Sequence, residues 1–259
     1  MSRKIVFTSG KGGVGKTTIT ASLGLILAKN GYRVLLVDGD IGLNNLDVIA
    51  SVEDLIVFDL IDVLNGNCRI SQALVESPLS NNLFVLPCTH SLSNSNVSNQ
   101  KLNEAISGID SLFDYIFIDC PAGIDISFHR AVSVADEAVV IVNSSISSVR
   151  DADKVIGILK SYKLNNISLI VNKIRGDLVL AKEMYSANEI ALTLKIPLMG
   201  VIPEDDILLK GLTDIPSESQ KAFKLIAKNL NGKSEKTYDY LKKYTGFWGS
   251  IRKGLKKVL

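Results

Sequence analysis

The stretch Gly10-Lys11-Gly12-Gly13-Val14-Gly15-Lys16-Thr17-Thr18 decides the fold of this 259-residue chain. It matches the pattern G-x-x-x-x-G-K-[ST]. An apolar, strand-like run (Lys4–Ser9) precedes it, and a helical pattern near 17–30 follows it. Glycines let successive backbone N–H groups point at phosphate oxygens, and the positive N-terminus of the helix faces the same anion. We therefore expect the whole stretch, from Gly10 to Thr18, to bind the phosphates of a nucleotide.

Three side chains of this loop have distinct expected roles. Lys16 places a cation at the β- and γ-phosphates, and the hydroxyl of Thr17 ligates Mg²⁺. Lys11 is not needed to hold a nucleotide within one subunit. It is either a solvated loop lysine or a cation that reaches a phosphate bound by a neighbouring subunit.

The rest of the chain alternates strand-like runs with helical patterns. The further apolar, strand-like runs cover residues 33–38, 83–87, 115–119, 138–143, 168–173 and 198–202. The helical patterns lie near residues 98–113, 147–162, 180–194, 204–211 and 217–230. Near-continuous apolar strands indicate burial on both faces of a parallel sheet. The order predicts an α/β fold with a doubly wound, mainly parallel sheet and helices on both faces.

This α/β domain is expected to cover residues 1–230. A polar connector, 231–245, and an amphipathic C-terminal helix, 246–259, follow it. The polar segment 89–100 reads as a surface loop.

Acidic residues follow two of the predicted strands. Asp38 and Asp40 come at the end of the second strand, and Asp119 ends the run Ile116–Asp119. Ligands of open α/β sheets lie at the carboxyl ends of strands, so these carboxylates are expected near the phosphates. A carboxylate there holds Mg²⁺, directly or through water, or orients an attacking water. Asp47 and Asp125 fit turn or helix-cap residues better.

Composition excludes several other classes of protein. Apolar residues make up 46% of the chain and charged residues 22%, and no apolar run reaches the ~18–20 residues of a membrane-spanning helix. The three cysteines are far apart, which argues against a disulfide framework, a zinc ribbon and a dithiol site. His90 and His129 lack a matching ligand cluster. Because the chain enters a strand at once, we expect a cytoplasmic protein.

The C-terminal segment has a different character from the body. Residues 242–259 carry six basic side chains and no acidic one, which leaves a net charge of −4 on residues 1–241. On a helix, residues 247–259 separate into an apolar arc of about 120° and a basic side. This pattern is typical of an interfacial amphipathic helix that binds an anionic membrane. The expected membrane contacts are Phe247, Trp248, Ile251, Arg252, Lys253, Leu255, Lys256, Lys257, Val258 and Leu259. A helix packed on the body and a nucleic-acid-binding tail are the alternatives.

Taken together, these segments resemble the MinD/ParA family of deviant Walker A ATPases, and within it the MinD branch. The resemblance rests on KGGVGKTT (Lys11–Thr18), DGDIGLNNLD (Asp38–Asp47), DCPAGID (Asp119–Asp125), SSVRDAD (Ser147–Asp153) and GVIPED (Gly200–Asp205). It implies an ATP-dependent homodimer in which Lys11 crosses to the partner's nucleotide. Asp40 would position the hydrolytic water, and Asp38 and Asp119 would support Mg²⁺.

The resemblance also implies further contacts and partners. Asn172 would read the adenine edge, with Pro203, Glu204 and Asp205 on the other side of the base. Its amide offers the donor and the acceptor that adenine requires. The expected ligands are ATP, ADP and Mg²⁺. The expected partners are an anionic phospholipid membrane, a MinC-like division inhibitor and a MinE-like activator, with no specific nucleic acid.

Some residues depart from the pattern of the MinD branch. Asn143-Ser144-Ser145 stands where the branch has Asn-Pro-Glu, and Asn44, Asp125 and Ser127 also differ. The rival interpretations are a flagellar-number regulator of the FlhG type, a ParA-type partition ATPase and a nucleotide-dependent scaffold with negligible turnover. Asp38–Asp47 fits MinD better than FlhG, and a net-negative body disfavours nonspecific DNA binding.

Overall fold

The computed structural model describes residues 1–39, 45–88, 99–205 and 217–245. The predictions made for Asp40 and for the tail residues 246–259 therefore lie outside the described residues. The same holds for most of the polar segment 89–100 and of the helix expected near 204–211. Glu204 and Asp205, which are described, are not helical.

The described residues form one sheet of eight strands. The strands are β1 (Arg3–Thr8), β2 (Val34–Asp38), β3 (Val75–Glu76), β4 (Leu83–Leu86), β5 (Tyr115–Asp119), β6 (Glu137–Asn143), β7 (Asn166–Ile174) and β8 (Leu198–Pro203). Their order across the sheet is β3-β4-β2-β5-β1-β6-β7-β8. All neighbours are parallel except β3 and β4, which pair antiparallel at one edge. The predicted fold, a mainly parallel α/β sheet, is confirmed.

Helices cover both faces of this sheet. They are α1 (Lys16–Lys29), α2 (Leu46–Ile49), α3 (Leu60–Asn65), α4 (Ile70–Ala73), α5 (Asn99–Ser107), α6 (Ile126–Ser133), α7 (Ile146–Leu159), α8 (Gly176–Leu180), α9 (Ala187–Leu194) and α10 (Glu218–Leu230). Two apolar cores result, one on each face. Leu23 of α1 and Phe223 of α10 are buried in one core, and Val155 of α7 and Ile190 of α9 in the other. Among these helices none is long and apolar enough to span a bilayer.

The structure shortens one of the expected helices. Of the pattern near 180–194, residues 187–194 are helical and form α9, and α8, which was not predicted, ends where that pattern begins. The chain between them turns at Lys182, whose φ is +60°, and Ser186 caps α9. Residues 99 and 100 belong to α5 and not to a loop. The short elements β3, α2, α3, α4 and α6 were not predicted, because segments of two to eight residues carry too little periodicity.

Three tyrosines anchor residues 231–245 on the body. Tyr238 contacts the core beneath α1 and α10, whereas Tyr240 contacts the core on the opposite face. Tyr244 lies in a short 3-10 turn and is buried. These contacts fix the position of Thr245, the last described residue.

Candidate nucleotide-binding site

The phosphate loop lies where the sheet changes its winding direction. β1 sits between β5 and β6, so the loop that follows β1 opens at the carboxyl edge of the sheet, where such folds bind ligands. Gly13 and Gly15 have φ values of +75° and +96°, which residues with a side chain adopt only under strain. α1 begins at Lys16 and directs its N-terminus at the loop.

Two threonine hydroxyls meet an aspartate carboxylate behind the loop, and a second aspartate lies on the neighbouring strand. The Thr17 hydroxyl donates to Asp119 Oδ2 over 2.6 Å, and the Thr20 hydroxyl lies 3.3 Å from Asp119 Oδ1. Asp38 is the register partner of Asp119 across β2 and β5, and both carboxylates are buried. The structure thus brings together three of the residues predicted to support Mg²⁺. Their oxygen donors are the kind that this cation prefers.

The loop is pressed against the start of α7. A Cβ atom on Gly10 would lie 2.3 Å from the backbone carbonyl carbon of Asp151, so only glycine fits there. Beside this contact the ammonium of Lys11 donates to the hydroxyl of Ser147 over 3.2 Å. Lys11 is exposed. Its cation therefore stands at the surface of the loop rather than inside it.

β7 supplies two further contacts to the loop. The buried amide of Asn172 donates to the carbonyl of Val14 over 2.7 Å, and its oxygen accepts from the Lys173 N–H over 2.9 Å. Lys173 has a left-handed φ of +55°, and its ammonium donates to the carbonyl of Gly13 over 3.2 Å. No motif marks a lysine near the end of a strand, so Lys173 could not be predicted from the sequence. Asn172 therefore braces the loop, and its contact with adenine stays a prediction.

The other predicted adenine contacts lie at the end of β8, next to β7. Pro203 is the register partner of Ile174, and the Glu204 N–H donates to the Ile174 carbonyl over 3.1 Å. The Asp205 carboxylate accepts from the Ser219 N–H over 3.1 Å and so holds the start of α10. The structure places these residues near Asn172 along the sheet edge. Their role in base binding stays a prediction.

Asp125, Cys120 and His129 have structural surroundings, and His90 lies outside the described residues. Asp125 caps α6, with its carboxylate accepting from the Phe128 N–H over 3.0 Å. Burial raises the pKa of the Cys120 thiol, which keeps it protonated and unreactive. His129 shares a hydrogen bond of 2.5 Å with the Tyr162 hydroxyl. Across the described ranges there is no group of three or more His, Cys, Asp or Glu side chains that would hold a metal.

This strand–loop–helix unit, with its hydroxyl and carboxylates, defines a P-loop nucleotide-binding protein. Residues 2–174 match the family model described as an AAA domain. The chain is 40% identical over 263 residues to the septum site-determining protein MinD of Synechocystis sp., covering 98% of this chain and 99% of that protein. It belongs to the MinD family.

Solved structures agree with this assignment. The MinC:MinD cell division protein complex of Aquifex aeolicus contains a chain that is 41% identical, with a TM-score of 0.83 over 90% of this chain and 97% of that one. The septum site-determining protein MinD of Pyrococcus horikoshii, complexed with Mg-ADP, is 31% identical. Its TM-score is 0.79, over 89% of this chain and 96% of that one.

Proposed function

We propose that this protein is an ATPase that helps to position the cell-division site. ATP binding dimerises it, the dimer binds the cytoplasmic face of the membrane through residues 246–259, and hydrolysis releases it. The observation that carries this proposal is the contact of Thr17 with Asp119 beneath the phosphate loop. It joins the loop to a buried acidic residue, as a nucleotide-hydrolysing site requires.

The described residues have the chemistry for ATP with Mg²⁺. The loop N–H groups and Lys16 hold the phosphates, and Thr17 and Asp119, with Asp38 behind them, hold the cation. Mg²⁺ supplies positive charge that offsets the charge of the phosphate oxygens. Asp40 is proposed to orient the attacking water. Support comes from the Pyrococcus horikoshii protein, which is described as complexed with Mg-ADP.

A dimer gives the exposed Lys11 a role. We infer that two loops face each other in the ATP-bound pair and that each Lys11 reaches the phosphates held by the other subunit. In the described residues, its ammonium donates one exposed hydrogen bond, to the Ser147 hydroxyl. Such a bond contributes little free energy, so Lys11 can exchange it for a contact with phosphate. The Aquifex aeolicus complex supports a MinC-like inhibitor as a partner. A MinE-like activator is proposed on family grounds alone.

Dimerisation also explains how a short tail becomes a regulated membrane anchor. Gly246, Gly249 and Gly254 weaken the tail as an isolated helix, so one copy binds lipid weakly. Two copies on one dimer act as a linked pair, and effective concentration multiplies their affinities. The basic residues of the tail favour the anionic inner leaflet.

Vesicle co-sedimentation with ADP or ATP tests this proposal. Anionic vesicles should bind the wild-type protein with ATP, and neither Lys16→Gln nor a chain ending at Thr245 should bind. Binding that ignores the nucleotide would contradict the switch, and binding that survives removal of the tail would contradict the anchor. ATP turnover measured on the same vesicles separates an ATPase from a scaffold. Nucleotide-dependent binding to DNA instead would favour the ParA-type alternative.

A further inference from the structure

An open apolar groove runs between α7 and α9. Its apolar lining comes from Ile146 and Val149 of α7, Ile190 and Leu194 of α9, and Tyr185 before α9, and its volume is about 350 Å³. Ile146 is 71% exposed and Tyr185 is 52% exposed. Large apolar side chains left in water along a concave surface indicate a binding surface.

Charged side chains line the rim of this groove. Asp153 of α7 and Glu189 of α9 are acidic, and Arg150 is the basic member of the lining. The rim is therefore net negative, with one carboxylate on each of the two helices. An apolar segment flanked by basic residues fits a groove of this kind.

The described chain ends beside one of these two helices, α9. The Tyr240 hydroxyl accepts from the N–H of Ala187, the first residue of α9, over 3.3 Å. The backbone of Tyr240 and the ring of Tyr244 pack so closely on Gly176, the first residue of α8, that a Cβ atom there would clash with both. The chain thus reaches Thr245 next to α8 and the start of α9, and 14 residues follow.

These 14 residues are long enough to lie in the groove. As a helix they would extend about 21 Å, and as an extended chain about 46 Å. α9 has eight residues and is therefore about 12 Å long. At 100° per residue, Arg252 and Lys257 flank the apolar arc of the tail on its two sides, where their long stems reach rim carboxylates.

We propose that residues 246–259 dock in cis in the groove between α7 and α9 when no membrane is present. The arc that contains Trp248, Ile251 and Leu255 fills the apolar floor, and the flanking cations face Asp153 and Glu189. The same arc cannot contact lipid while it is docked. The groove therefore competes with the bilayer for the tail and lowers the membrane affinity of a single subunit. Only this last step rests on the proposed function.

Trp248 is the only tryptophan of the chain, so its fluorescence reports on docking directly. In the full chain, without nucleotide or lipid, we expect blue-shifted emission and protection from acrylamide quenching. Tyr185→Asp and Asp153→Lys, both at exposed positions, should red-shift the emission and increase quenching. The matched controls are Val57→Asp and Glu76→Lys, also exposed but outside the groove lining, which should leave both signals unchanged.

The outcomes separate this proposal from its alternatives. Trp248 emission in the folded wild type that equals emission in denaturant would overturn docking, and so would an unchanged signal in both groove variants. Protection that rises with protein concentration would place the tail on a second copy and reject docking in cis. With ADP and anionic vesicles, Tyr185→Asp should bind about 3-fold to 10-fold more tightly than the wild type. Groove-dependent emission without any vesicle binding would retain docking and reject the membrane function.

Discussion

The hydroxyl of Thr17 and the carboxylate of Asp119 lie 2.6 Å apart, although 102 residues separate them in the chain. This hydrogen bond joins the first turn of α1 to the end of β5. It places two oxygen donors side by side beneath the phosphate loop, at the site proposed for Mg²⁺. Preformed ligand geometry reduces the entropy lost on binding.

Removing the hydroxyl should therefore weaken binding of ATP with Mg²⁺ more than binding of ATP alone. We expect Thr17→Ala to weaken the first at least about 10-fold, because a hydrogen bond or ligand contact to a charged group contributes about 1.5–3 kcal/mol. Thr17→Ser keeps the oxygen and should restore affinity. Titration calorimetry with Mg²⁺ and with EDTA measures the two affinities. Equal weakening in the two buffers would show that Thr17 acts only on the loop.

Because Gly10 lies so close to α7, a side chain at this position should destabilise the nucleotide-free protein. Gly10→Ala should lower the free energy of unfolding by about 1–3 kcal/mol, because the new methyl group would meet the Asp151 backbone, which cannot move aside alone. Gly12→Ala is the matched control, since a Cβ there meets nothing within 4 Å. Urea unfolding of both variants measures the difference. Similar midpoints would mean that the loop moves freely relative to α7.

Lys11 is predicted to matter for assembly and not for the fold of one subunit. Its hydrogen bond to Ser147 is exposed, so Lys11→Ala should change the free energy of unfolding by less than about 0.5 kcal/mol. The same variant should fail to dimerise with a nonhydrolysable ATP analogue in sedimentation velocity. Ser147→Ala leaves the cation in place, so it should still dimerise. If Lys11→Ala still forms dimers with the analogue, Lys11 has no role in assembly.

Much of the sheet and the phosphate loop could be predicted because their signals are local. Seven strands were predicted within about two residues at each end, since buried parallel strands are continuous apolar runs bounded by turns. The Thr17–Asp119 contact could also be predicted. Two motifs that end adjacent parallel strands at one edge must lie close together.

The contacts that were missed depend on tertiary structure. Lys173 reaches the Gly13 carbonyl only because β7 ends beside the loop and its φ is positive, and neither fact leaves a pattern in the sequence. The packing of Tyr238 and Tyr240 on opposite faces of the sheet was likewise hidden in a polar segment. Polar composition predicts exposure on average, but it does not identify the few aromatic anchors within such a segment.

The connector that carries these anchors should loosen in acid. Glu218, in the first turn of α10, forms an ion pair of 2.7 Å with Lys221 and accepts a hydrogen bond from the Tyr238 hydroxyl. The contact with Lys221 first, and that with Tyr238 next, hold the pKa of Glu218 below its ordinary value of 4.5. A carboxyl with a lowered pKa stabilises the fold above its unfolded pKa. That stability is lost as the pH falls from 4.5 toward the lower, folded value.

We expect this contribution to be modest, about 0.5 kcal/mol, because the Glu218 side chain is 41% exposed and solvent screens it. Its structural effect is local, so limited proteolysis within residues 231–245 is the sharper measurement. Cleavage in the wild type should rise as the pH falls below 4.5, with an acid-stable protease. In Glu218→Gln it should already be raised at neutral pH and change less with acid. Glu235→Gln, in the same connector but outside this contact, should behave like the wild type. If Glu218→Gln keeps the wild-type pH profile, Tyr238 is held by its ring packing and not by the carboxylate.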